Sequence, residues 1–217
     1  MRPTSNAEGN LVSKVLSVQL TSVVATSSPA AATSSLLRQA GIVLAGSALV
    51  AVCAHMALPL YFTPVPLSLQ TFAVLLLGLL LSPRLAAATL GAYLVEGALG
   101  LPVFAPSPLG SGGIAHFFGP TGGYLIAYPL AAALTSFLWR RTSWNTRRGF
   151  PAAAISAAAG SLTILAFGAL WLAIFSHAPA QSILTLAVLP FLPGDALKIV
   201  AAAALAAGFA RLRRPTP

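Results

Sequence analysis

Long apolar runs dominate this chain, and six of them can be drawn: about Ala40 to Leu58, Leu67 to Leu81, Leu85 to Leu99, Gly122 to Trp139, Ala152 to Phe175 and Leu189 to Ala210. A bilayer's hydrocarbon core is about 30 Å thick, and a helix of roughly 20 residues crosses it. The pattern therefore predicts an all-α integral membrane protein with six transmembrane helices. Breakers separate the runs. Pro59, Pro64 and Pro66 take the chain out of regular helix after the first. Ser82-Pro83-Arg84 stops the second, and Gly100-Leu101-Pro102 ends the third. Pro106, Pro108, Gly110, Gly112 and Gly113 then predict a loop or re-entrant segment. Residues 1–37 differ, because hydroxyl residues such as Thr4, Ser13, Ser17, Thr21, Ser27 and Thr33 interrupt every apolar stretch. They predict a disordered Ser/Thr-rich extension ahead of a membrane domain over residues 38–214. Leu11 to Ala25 is like a signal peptide only superficially, since Lys14 and Gln19 break its apolar region.

Composition sharpens this picture. Of the 217 residues 57% are hydrophobic and only 7% charged, with a mean hydropathy of +0.87, whereas soluble domains carry about 25% charged residues. The net charge of +9 does not point to nucleic acid, because Lys and Arg sit between apolar runs rather than on a soluble surface. Arg38 precedes the first run, Arg84 joins the second and third, and Arg140, Arg141, Arg147 and Arg148 join the fourth and fifth. Arg211, Arg213 and Arg214 follow the sixth. The opposite loops, about 59–66, 100–118 and 176–188, hold no Lys or Arg. Positive residues mark the cytoplasmic side, so both termini are expected there. Cys53 is the only cysteine, which excludes an intrachain disulfide. His55, His116 and His177 are too dispersed for recognisable metal spacing, and no metal site is expected.

Charged groups inside a span cost at least a few kcal/mol, so each needs a partner, a cavity or a function. Glu96, Asp195 and Lys198 are such groups. Asp195 and Lys198, three residues apart, share one helical face within pairing distance. They form an internal ion pair that lets the helix insert, a donor and acceptor for a ligand, or both. Glu96 lies toward the same outer half, either as an interfacial carboxylate or as a ligand group. Gln70 follows Pro64-Val65-Pro66 and can both donate and accept. A cavity near these four, lined by Phe62, Tyr93, Phe104 and Tyr124, would suit a small amphipathic solute. Gly41, Ala45, Ala48 and Ala51 give the first run a small-residue face that permits close helix packing. Gly110-Ser111-Gly112-Gly113 with His116 is a weak hydrolase signal without a nucleophile elbow. There is no GxxxxGK[ST] motif for ATP.

Four segments, in order, carry a resemblance: Thr63-Pro64-Val65-Pro66-Leu67-Ser68-Leu69-Gln70-Thr71, then Tyr93-Leu94-Val95-Glu96-Gly97-Ala98-Leu99-Gly100-Leu101-Pro102-Val103-Phe104, then Gly119-Pro120-Thr121-Gly122-Gly123-Tyr124-Leu125, and Leu192-Pro193-Gly194-Asp195-Ala196-Leu197-Lys198. Over about residues 40 to 210 the chain resembles the BioY family of biotin transporters, the substrate-binding S components of energy-coupling factor systems. The resemblance implies a non-enzymatic six-helix protein that binds biotin from outside and passes it inward. A coupling transmembrane protein and a pair of ATPases would supply the energy, so ATP enters only through partner subunits and no cofactor is expected. It implies a multi-pass protein of a prokaryotic cell membrane, in contact with lipid. By similarity Gln70, Asp195 and Lys198 match family positions that contact biotin. Tyr93, Glu96 and Tyr124 complete the expected substrate-binding set. Gly122 and Gly123 are expected to permit close backbone approach, with Tyr124 capping the cavity. An S component or secondary transporter for a different small solute is the alternative.

Overall fold

The computed structural model describes residues 29–106, 113–145 and 149–212. It is mostly helical: α1 spans Pro29–His55, α2 Gln70–Leu80, α3 Pro83–Ala98, α4 Gly122–Asn145, α5 Phe150–Ser176, α6 Ala180–Ile183 and α7 Leu192–Leu212. A 3-10 turn covers Gly113–Phe118, and a π-helical turn over Leu184–Val188 follows α6. Arg147, Arg148, Arg213, Arg214 and the Gly110-Ser111-Gly112 stretch lie outside the described residues.

α1, α4, α5 and α7 each contain a stretch long and apolar enough to cross a membrane. α2 and α3 fall on the second and third expected runs. At 11 and 16 residues they reach about 16 and 24 Å, less than the hydrocarbon thickness. α2 is short because Leu67–Ser68 forms a strand, β2, that pairs with Ala57–Leu58, β1. This two-residue antiparallel ladder, with Ala57 opposite Ser68 and Leu58 opposite Leu67, corrects the all-α expectation. The prolines between the strands remove helical hydrogen bonds, and backbone groups on either side pair with each other instead. The interval expected as a loop before the last span holds α6 and the π turn.

Chain packing divides the protein after Gly41 into two units. In the first, α1 starts at Pro29, ahead of the expected boundary at 38, and residues 33–41 are exposed. Three consecutive alanines, Ala30 to Ala32, outweigh the weak helix preference of Thr33, Ser34 and Ser35. The rest of the expected extension, residues 1–28, lies outside the described residues.

In the second unit, helix ends follow local chemistry. Ser82 precedes Pro83 at the start of α3, and Gly149 and Pro151 open α5, both using proline where its missing N–H costs nothing. His177 closes α5 in a left-handed conformation with φ of 53°. One apolar cluster joins Val74, Leu77, Leu90, Tyr93, Tyr128 and Ile164 from α2, α3, α4 and α5. A second packs Leu75, Leu79, Trp139, Ala157 and Ala203. Leu44, Val52, Leu162, Leu170 and Leu197 are exposed on the outside. That surface is unfavourable in water, but lipid tails are as apolar as leucine.

Candidate functional site

The amino-terminal ends of α2, α4 and α7 meet the middle of α5 around a cavity, with Pro64, Val65 and Pro66 of the β1–β2 loop in its wall. Gln70, Thr71, His116, Asp195 and Lys198 line it, with Tyr124, Tyr128, Leu165 and Phe191. It offers about 50 Å³ of free space, below the roughly 300–1,000 Å³ of pockets for drug-sized ligands.

Asp195 and Lys198 sit in the first turns of α7, which Pro193 and Gly194 open. They are 4% and 7% exposed, so both charges are removed from bulk solvent. The Lys198 ammonium donates to Asp195 Oδ1 at 3.2 Å, and Ser161 of α5 donates to Oδ2 at 2.9 Å. The helix N-terminus adds favourable potential for the carboxylate. Each carboxylate oxygen retains acceptor capacity, and the ammonium keeps two further N–H groups. The pair is therefore both an internal ion pair and a source of free donors and acceptors at the cavity.

Gln70 is 5% exposed and held from several sides. Its Oε1 accepts from Ser68 Oγ at 3.1 Å and Tyr128 OH at 3.4 Å, and its Nε2 donates to Tyr93 OH at 2.6 Å. Tyr93 OH in turn donates to the Val103 carbonyl at 3.0 Å. Tyr124 OH donates to the Ala187 carbonyl of the π turn at 2.9 Å, and Thr63 Oγ1 donates to the adjacent Leu186 carbonyl at 2.8 Å. The close approach expected at Gly122 and Gly123 is present. A Cβ on the first would strike the Phe117 carbonyl, and on the second the Trp171 side chain.

Of the expected site residues, Gln70, Tyr124, Asp195 and Lys198 come together at the cavity. Tyr93 stands behind the wall, fully buried, and orients Gln70. Glu96 is not in the wall: its Oε1 accepts from Ser47 of α1 at 2.9 Å. Phe62 and Phe104 are also outside the lining. Phe62 is exposed on the loop, and Phe104 packs on Tyr93, His116 and Phe117. Hydropathy does not register which side of a helix a residue occupies, and Glu96 faces α1 instead of the cavity; Phe62 and Phe104 lie in irregular segments where periodicity says nothing. Thr71 and His116 line the cavity unforeseen, and Ser161 supports the site from behind through its bond to Asp195. A serine within an apolar run gives no signal, whereas Thr71 directly follows Gln70 in the Thr63–Thr71 segment. Removing the Tyr93 hydroxyl in Tyr93→Phe leaves Gln70 without its acceptor. This is expected to lower stability by about 2 kcal/mol, read as a lower unfolding midpoint in detergent.

The model of the BioY family matches residues 20–215. This chain belongs to the BioY family. BioY relatives include the probable biotin transporter BioY of Pyrococcus horikoshii, 41% identical over 143 residues, or 66% of this chain and 79% of that protein. The biotin transporter BioY of Thermotoga maritima is 34% identical over 160 residues, 74% and 88% of the two chains. Among solved structures, the crystal structure of the S-component for biotin from an ECF-type ABC transporter superposes with a TM-score of 0.73 at 28% identity. It covers 84% of this chain and 94% of that one. The BioY fold places this chain among multi-pass membrane proteins.

Proposed function

We propose that this protein is the biotin-binding component of an uptake system, a transporter subunit rather than an enzyme. The observation that carries the reading is the buried Asp195–Lys198 pair at a cavity shared with Gln70 and Tyr124, in a chain of the BioY family. Biotin's ureido ring offers two N–H donors and a carbonyl, and its valerate tail ends in a carboxylate. A carboxylate and an ammonium with unused hydrogen-bonding capacity supply complementary groups, and Val65, Leu165 and Phe191 give the apolar part a surface.

In this reading the chain crosses a prokaryotic cell membrane six times with both ends cytoplasmic. Arg84 opens α3, Arg140 and Arg141 lie in the last part of α4, and Arg211 is in the last turn of α7. The cavity residues occupy the other ends of α4 and α7. Biotin is therefore captured on the outer side, and an energy-coupling transmembrane protein with its ATPase pair acts from the arginine-bearing side.

The test is a thermal-shift screen of vitamins on the purified protein, followed by equilibrium binding. Biotin is expected to raise the unfolding midpoint, because a ligand at 100 times Kd adds about 2.7 kcal/mol, and Lys198→Ala is expected to abolish the shift. No response to biotin, together with stabilisation by a different vitamin, would make this a transporter for that solute.

A further inference from the structure

Hydroxyl groups in these helices mostly find acceptors. Thr89, Ser156, Thr163 and Ser176 each donate to the carbonyl four residues earlier, at 2.8, 2.8, 2.9 and 2.7 Å. Ser136 donates to the Leu81 carbonyl and Ser161 to Asp195. Among the described residues, the buried hydroxyls of Thr71 and Thr135 have no partner. A buried polar group without a hydrogen bond costs folding free energy and calls for an explanation.

The two differ in position. Thr135 is packed in the interior, where a Cβ on Gly78 or Gly160 would collide with it, and it is not part of the cavity wall. Thr71 is the second residue of α2, so the carbonyl four residues back belongs to Leu67 in β2 and is not a helical acceptor. Thr71 lines the cavity beside Gln70, whose carboxamide is already engaged by Ser68, Tyr128 and Tyr93. At this wall the Thr71 hydroxyl keeps its whole capacity, one donor and two acceptor sites.

We propose that Thr71 is a ligand-binding residue whose hydroxyl hydrogen-bonds a polar group of the bound solute. This rests on the biotin-binding reading above. The stability cost of the orphan hydroxyl is recovered when ligand arrives, and a solute lacking the matching polar group leaves it unrecovered, which makes Thr71 a selectivity determinant.

Valine matches threonine in shape without the hydroxyl, so the test compares full-length wild type, Thr71→Val, Thr71→Ser and Thr135→Val for ligand-free unfolding midpoint and for biotin Kd. Thr71→Val is expected to match or exceed the wild-type midpoint without ligand while weakening biotin about tenfold, the effect of one lost hydrogen bond. Thr71→Ser is expected to keep affinity within roughly threefold, and Thr135→Val to leave Kd unchanged. Wild-type affinity in Thr71→Val, or an affinity loss that tracks a lower ligand-free midpoint, would overturn the assignment while leaving biotin binding intact. Absence of biotin binding in the wild type would overturn both.

Discussion

Asp195→Ala is expected to destabilise the protein by about 3–5 kcal/mol and to abolish biotin binding, because it leaves the Lys198 ammonium buried without its counter-charge. Ser161 would lose its acceptor in the same step. The two effects are separable. In Asp195→Ala/Lys198→Met no charge remains to be desolvated, and a thioether side chain fills much of the lysine stem's space. Most of the lost stability is expected to return while binding stays absent. Unfolding midpoints with and without biotin measure both quantities. If the double variant stays as unstable as the single one, the pair's electrostatics do not explain the loss. Removing both charges restores stability only if the ammonium is what the single change strands.

Gly168→Ala is expected to cost about 1–3 kcal/mol and to weaken biotin binding, although residue 168 is outside the cavity. A Cβ there would penetrate the Tyr124 ring. The ring is confined by its hydrogen bond to Ala187 and by Phe191, 6.2 Å away between centroids. Displacing it pushes the ring toward the cavity it lines or pulls on its bond to the π turn. Tyr124→Leu combined with Gly168→Ala removes the collision, so the stability change of the double variant should be smaller than the sum of the two single changes, a coupling that a double-mutant cycle measures. Additive effects would show that Gly168 acts on something other than Tyr124.

Much of this was legible in the sequence because the bilayer imposes coarse rules. Apolar runs located all the long helices, and prolines located the interruption after α1. The rules failed where tertiary context overrode them. The run from Leu67 could not reveal that its first two residues would pair with Ala57 and Leu58, since that choice depends on a partner segment. Asp195 and Lys198 were visible because charge in an apolar run is conspicuous and their spacing places them on one face. Glu96 was equally conspicuous, yet its partner is Ser47 on another helix, which no periodicity within its own run encodes. Ser161 was invisible for the complementary reason. Its importance comes entirely from the carboxylate it meets across the bundle.

The brevity of α2 has a further consequence. A helix facing lipid has to match the bilayer's thickness or deform it, but Ala73 to Leu79 are all buried within the bundle. α2 is therefore exempt from matching. Its polar first turn, with Gln70 and Thr71, then faces the cavity inside the bundle rather than a surface that lipid would cover.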